Sequence, residues 1–254
     1  MIWKFISSGI NNGSYNMDFD MMLAKSLNSN EAILRLYQWK PYCISLGTNQ
    51  SEGSLKLEKI ITNNIDVVKR PTGGRAILHS EELTYSVIYP IGKRFSPKEL
   101  YREINLALKN GLIMFNSILE NIKLEYVQPY FPTFYKKDKS TVCFAVSSEN
   151  EINFEGKKMV GSAQRKMRNV ILQHGSILCG GKHKEIIEYL NLPEESLRKI
   201  RNEMNNNTTD LNEILNVNIN IERLISSIKR GFEIHFNFVF ENSEQKSDLV
   251  LSFV

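Results

Sequence analysis

The sequence predicts an α+β fold in which a mixed, largely antiparallel sheet carries packed helices. Three observations lead there. Short β-branched and aromatic runs cluster at 34–46, 67–89 and 143–178, one long amphipathic helix separates the second cluster from the third, and after Gly180-Gly181 the character turns helical. With 254 residues, of which 42% are hydrophobic, the chain can bury a substantial core in one or two units. The division expected is a core over residues 1–182 and a C-terminal helical segment, 183–254, packed on it.

Taken in order, Asn12-Gly13-Ser14 opens the first helix, with Ser14 placed to cap it and Met17, Met21, Met22 and Leu23 recurring on one face as far as about Leu27. Residues 34–37 and 43–46 read as strands broken at Lys40-Pro41, because proline cannot donate to a central ladder. Val67-Val68-Lys69-Arg70 stops at Pro71-Thr72-Gly73-Gly74, and extended character resumes at 76–78 and 83–89, so a glycine loop sits between strands. Ser96-Pro97-Lys98-Glu99 starts a helix for two reasons: Ser and Glu form a capping box, and proline takes the first helical position, where its missing N–H costs nothing. Leu100, Ile104, Leu108, Leu112, Phe115 and Leu119 follow at steps of three and four, which carries the predicted helix to near Asn121. Strands are predicted at 143–147, 151–154, 158–164 and 170–178, with Glu155-Gly156-Lys157 as a tight hairpin turn and 166–169 as a second, polar turn. These form an antiparallel meander. Short helices at 183–190 and 194–204, a loop at Asn205-Asn206-Asn207 and an amphipathic helix at 221–236 complete the reading.

Composition excludes several function classes. The longest apolar run, from Val142 to Val146, is five residues, against the roughly 20 that a membrane span needs. The amino terminus lacks the apolar stretch of a secretory signal, so the protein is expected to be cytoplasmic. Cys43, Cys143 and Cys179 contain no close pair, which supports neither a disulfide framework nor a zinc site, and no His/Cys/Asp cluster has metal spacing. The net charge of +4 is too mild and dispersed for nucleic acid, but it suits an acidic protein partner.

Four groups of residues could carry chemistry. In Arg70-Pro71-Thr72-Gly73-Gly74-Arg75, paired glycines let backbone N–H groups approach a phosphate or carbonyl oxygen between two arginines; a plain turn is the alternative. Cys143, beside Phe144, is a candidate nucleophile if a nearby cation lowers its pKa from about 8.5, and Lys158 lies across the predicted hairpin; a buried, inert thiol is the alternative. Gly161, Ser162 and Ala163 follow Lys158 and leave room for a ligand chain, or for a helix pressed on the strand. His79 and His174 each adjoin a strand, where lone histidines are more often satisfied hydrogen bonders than ligands.

In their order, Tyr37-Gln38-Trp39-Lys40-Pro41, Ser45-Leu46-Gly47, the 70–79 segment, Glu82-Leu83-Thr84-Tyr85-Ser86, the 156–165 segment and Gln173-His174-Gly175-Ser176 resemble the catalytic domain shared by lipoate-protein ligases, octanoyltransferases and biotin-protein ligases. The likeness spans roughly 15–180. It is nearest to octanoyltransferases of the LipM type, because Cys143-Phe144 stands where that type has its cysteine ahead of a Gly-Lys-Lys hairpin. The biotin ligases' Gly-Arg-Gly-Arg-x-Gly-Arg loop is absent. The short remainder after 180 also favours a transferase over a ligase with an accessory domain.

This resemblance implies an enzyme that moves an octanoyl group from octanoyl-acyl carrier protein, through a thioester on Cys143, to a lysine of the glycine-cleavage H protein or another lipoyl domain. The alternatives are an ATP-dependent lipoate-protein ligase, a lipoyl or octanoyl amidotransferase, and a non-enzymatic acyl-binding protein. It further implies that Lys158 lowers the Cys143 pKa and holds the acyl carbonyl, and that Arg70, Gly73, Gly74, His79, Tyr85, Gly161, Ser162, Ala163 and His174 surround the acyl tunnel or its mouth. No metal and no bound cofactor is expected: the donor brings its own phosphopantetheine, and ATP with Mg enters only under the ligase alternative. The protein is expected to act as a monomer, with Arg75, Lys136, Lys137 and Lys166 available to steer acidic partners.

Overall fold

A computed structural model describes residues 1–124 and 151–240. The strands are β1 (Ile2–Asn11), β2 (Glu31–Trp39), β3 (Cys43–Leu46), β4 (Asp66–Lys69), β5 (Ile77–His79), β6 (Glu82–Pro90), β7 (Lys123–Leu124), β8 (Ile152–Phe154), β9 (Lys157–Lys166) and β10 (Val170–Leu178). They form a seven-stranded sheet, in the order β1-β2-β6-β10-β9-β8-β7, and a three-stranded sheet, β4-β3-β5. The large sheet is antiparallel at each pairing described except β1 with β2; in the small one β3 runs parallel to β4 and antiparallel to β5. The mixed, largely antiparallel α+β architecture is the predicted one.

Helices α1 (Gly13–Ser26), α2 (Leu57–Thr62), α3 (Pro97–Phe115), α4 (Glu194–Asn207), α5 (Leu211–Leu215) and α6 (Ile221–Phe236) pack on these sheets. Among the described residues, no helix is long and apolar enough to cross a membrane. Leu100, Ile104, Leu108 and Leu112 of α3 join Leu224, Ile228 and Phe232 of α6 over Leu34, Leu36, Tyr85 and Val87 of the large sheet. The two helices touch through their backbones: a Cβ on Gly231 would overlap the backbone of Gly111 and Ala107, so only glycine permits this crossing. A second cluster packs Ile186, Ile187, Leu197, Ile200 and Met204 against Ile44, Leu46 and Leu78 of the small sheet.

Local rules account for most boundaries, and the departures have physical causes. The capping box at Ser96 and Glu99 is present. However, α3 stops at Phe115, because Asn116 leaves the helical region and caps a separate 3₁₀ turn, Ser117–Asn121. The side chain of Asn12, not Ser14, caps α1 by accepting from the Tyr15 amide at 2.9 Å; the Ser14 hydroxyl donates to Asp18 instead. The Asn205-Asn206-Asn207 run is helical rather than a loop. Asparagine costs a helix at most about 0.7 kcal/mol per residue relative to alanine, whereas Met204 is buried in the core and Thr208 ends the helix by bonding back to Met204. Strand β1 was not predicted. Its exposed edge shows little alternation, and what holds it is Trp3, stacked on Phe238 at 5.3 Å, edge-on to Phe232 and tilted against Phe236 of α6.

Candidate functional site

The two sheets contribute to one narrow cavity, which offers about 30 Å³ to the centres of water-sized spheres. The large sheet supplies Tyr37, Trp39, Thr84, Lys158, Gly161, Ser162, Ala163 and the 174–176 segment; the small sheet and its connections supply Ser45, Arg70, Ile77 and His79, and α1 supplies Met17. Strands β9 and β10 approach closely here, since a Cβ on Gly175 would overlap the carbonyl oxygen of Gly161 and, at 2.7 Å, the Tyr85 ring.

His79 stands at the centre of the first polar group. Its ring stacks on Trp39 at a centroid distance of 4.1 Å, and Nδ1 lies 2.8 Å from Glu82 Oε1. A carboxylate can only accept, so Nδ1 donates to Glu82, and Nε2 lies 2.8 Å from the Ser45 hydroxyl, from which it accepts in the uncharged form of the ring. Glu82 Oε1 also accepts from Thr84 and Ser176, while Oε2 is buried without a hydrogen-bond partner among the described residues. Burial opposes ionisation of Glu82, but the charge and hydrogen bond of His79, together with the two hydroxyls, outweigh it and hold the carboxyl below its ordinary range.

A second group runs from α1 to the glycine loop. Arg35 and Asp20 form a fully buried pair at 2.7 Å, and Arg35 also donates to Ser8 and to the backbone and side-chain oxygens of Asn16. Asp20 Oδ2 faces His174 Nδ1 at 3.8 Å, and His174 Nε2 meets Thr72 Oγ1 at 2.6 Å. Burial raises the Asp20 pKa, yet His174 and Arg35 more than offset it, so the carboxyl lies below its ordinary value. Burial pushes His174 down despite the facing Asp20, keeping its ring neutral near pH 7. The loop itself hangs on Arg70, which donates to the carbonyls of Ser45, Gly73 and Arg75. Gly74 has a φ of +94°, which a side chain would strain.

Lys158 is 1% exposed and pairs with Glu151 at 2.9 Å, both side chains being equally enclosed. The C-terminal segment fixes its backbone: Thr209 donates to the Lys158 carbonyl, and Thr208 bridges to it in parallel. Cys43 and Cys179 are buried free thiols whose pKa values burial drives upward, which leaves neither suited to forming a thiolate. Cys143, Lys136 and Lys137 lie outside the described residues.

Of the residues singled out from sequence, Arg70, His79, Lys158, Gly161, Ser162, Ala163 and His174 line the cavity. Tyr85 stands one layer behind, donating to Ser162 Oγ at 2.6 Å, and Gly73 and Gly74 belong to the Arg70-braced loop rather than to the lining. Sequence reasoning gave no role to Asp20, Ser45, Thr72, Glu82 or Glu151. One signal was available: Asp20 falls on the buried face of α1 with Met17 and Leu23, where a carboxylate requires a partner.

The lipoyl protein ligase A/B catalytic domain family matches this chain over residues 12–233. The octanoyltransferase LipM of Anoxybacillus flavithermus is 32% identical, over 97% of this chain and 91% of that protein. That of Bacillus subtilis is 31% identical, over 98% and 92%. Among solved structures, a bipartite lipoate-protein ligase from Thermoplasma acidophilum superposes with a TM-score of 0.75 at 18% identity, covering 95% of this chain and 86% of that one. Lipoate-protein ligase A bound with ATP gives 0.72 at 19%, covering 95% and 88%. These structural likenesses bear on the fold.

Proposed function

This chain belongs to the lipoyl protein ligase A/B catalytic domain family, and from that premise we propose that it is an octanoyltransferase of protein lipoylation, taking its acyl group from octanoyl-acyl carrier protein and delivering it to a lysine of the glycine-cleavage H protein or another lipoyl domain. The observation that carries this reading is the narrow cavity, in which Met17, Tyr37, Trp39 and Ile77 offer apolar walls beside the buried Lys158. Each methylene of an acyl chain buried there contributes about 0.8 kcal/mol, so an eight-carbon tail supplies several kcal/mol and its length is selected.

A thioester is already activated, so the transfer needs no ATP. The Cys143 thiolate attacks the octanoyl carbonyl, the carrier's phosphopantetheine thiol leaves, and the acceptor amine then takes the octanoyl group from sulfur to nitrogen. With Cys43 and Cys179 buried and protonated, Cys143 is the thiol to test. Lys158 brings a positive charge to the cavity wall, tempered by Glu151, where it can hold the acyl carbonyl.

The experiment is to mix the protein with octanoyl-acyl carrier protein without ATP and weigh it by mass spectrometry. An octanoyl adduct on the wild type but not on Cys143→Ala is expected. An adduct that persists in the variant would remove Cys143 from the mechanism. Pyrophosphate release from ATP with free octanoate or lipoate would replace the transferase reading by the ligase one.

A further inference from the structure

The acceptor lysine arrives as an ammonium, with an ordinary pKa of about 10.4, and must lose a proton before it can attack. Lys158 is poorly placed to take it, because its own ammonium is locked to Glu151 in a buried pair. Two imidazoles line the cavity, and only one is held as a base is held. His174 faces a carboxylate at 3.8 Å that Arg35 already neutralises, whereas His79 donates at 2.8 Å to Glu82, which no lysine or arginine pairs among the described residues.

Resting on the octanoyltransferase reading, we infer that His79 is the proton acceptor for the incoming lysine, with Glu82 as its positioning residue and Ser45 as the hydroxyl between. The ammonium's proton passes to Ser45 Oγ as Ser45's own proton passes to His79 Nε2. The freed lone pair forms the C–N bond to the octanoyl carbonyl, the C–S bond breaks with its electrons on sulfur, and a second proton from nitrogen goes to that sulfur. The imidazolium then discharges its proton to solvent.

The surroundings fit the assignment. Glu82 stabilises the charge that His79 acquires, and Trp39 fixes the plane of the ring. Arg70 donates to Ser45 Oγ at 3.1 Å, which leaves the hydroxyl hydrogen for His79. The other titratable groups nearby are His174, Cys43 opposite His79 across β3 and β5, and Tyr37, Cys179 and His183 near Glu82; burial keeps these five uncharged at neutral pH, and Lys158 on the same cavity is paired with Glu151.

The test separates the two half-reactions. The octanoyl-enzyme is formed from octanoyl-acyl carrier protein, isolated, and chased either with a lipoyl domain, whose lysine must be deprotonated, or with hydroxylamine, which is uncharged at neutral pH. His79→Gln is expected still to form the octanoyl-enzyme and to lose far less of its reaction with hydroxylamine than of its transfer to lysine. Its transfer to lysine should fall by about 10²- to 10⁴-fold, with a rate that rises through the alkaline range as the lysine loses its proton unaided. Glu82→Gln, which keeps the shape of the site, should show the same selectivity to a smaller degree. Hydroxylamine reactivity also reports that each variant is folded. Lysine transfer at the wild-type rate in His79→Gln, or an equal loss toward both nucleophiles, overturns the assignment and leaves the octanoyltransferase reading standing. Failure of the wild type to form any octanoyl-enzyme brings down both.

Discussion

The cavity wall holds two acid–histidine–hydroxyl chains of nearly the same composition, Asp20–His174–Thr72 and Glu82–His79–Ser45, and they are built to different ends. In the first, the carboxylate is 2.7 Å from a guanidinium and 3.8 Å from the imidazole, so its charge is spent on Arg35 and the histidine serves mainly to reach the glycine loop. In the second, the carboxylate is 2.8 Å from the imidazole and has no other cation among the described residues, so its charge acts on the ring. Residue types alone would assign both chains the same role. Charge balance separates them, because a carboxylate that already has a permanent cation gains little from an imidazolium, while one without gains a great deal.

The largest effect that tests this contrast is on stability. Arg35→Ala leaves Asp20 ionised, buried and unmatched, and should cost about 3–5 kcal/mol, read as a fall in the urea midpoint. Glu82→Gln removes a charge but keeps an acceptor for Thr84, Ser176 and His79, and should cost no more than about 2 kcal/mol. If Glu82→Gln unfolds the protein as readily as Arg35→Ala, the second chain is as structural as the first.

Acid separates the chains by pH. His174, Asp20 and Glu82 all bind protons more weakly folded than unfolded, so each contributes stability that is fully present above its unfolded pKa and is lost as pH falls through its folded value. For His174 the loss begins below about pH 6.5, and for the carboxyls below about 4. A denaturation series should therefore decline in two stages; His183, which burial also pushes down, shares the first, so His174→Gln should shrink the first while leaving the second. A single stage near pH 4 in the wild type would mean that His174 is not held neutral.

Much of the frame was legible in the chain. The capping box at Ser96, the 170–178 strand and the 221–236 helix were read correctly because each rests on a local pattern: a cap, an alternation, an apolar stripe. The site was legible only on one side of each pair. His79, His174 and Lys158 attract notice as functional side chains, but Glu82, Asp20 and Glu151 acquire meaning from partners that only the fold brings near: His174 and Asp20 lie on β10 and α1, and Lys158 reaches Glu151 across a hairpin. Likewise, a helical segment after residue 182 was foreseeable, but not that Thr208 and Thr209 would pin the backbone of Lys158. Pairing across the fold carries no local sequence signature.

The smallest effects give the finest test of the contrast, because the terminal hydroxyls are its matched members. Ser45→Ala and Thr72→Val each delete one hydroxyl hydrogen bond to a histidine Nε2, and each should cost about 1 kcal/mol. The glycine loop should survive Thr72→Val, since Arg70 still holds the carbonyls of Gly73 and Arg75. The two variants should part in the second half-reaction. Removing Ser45 takes away the hydroxyl through which the lysine proton reaches His79, so the pH dependence of transfer to a lipoyl domain should move; removing Thr72 touches a histidine whose carboxylate is already matched, and the profile should hold its position. An equal displacement in both would mean that the two chains titrate as one network, joined across the cavity that both histidines line, and the distinction drawn from Arg35 would fail.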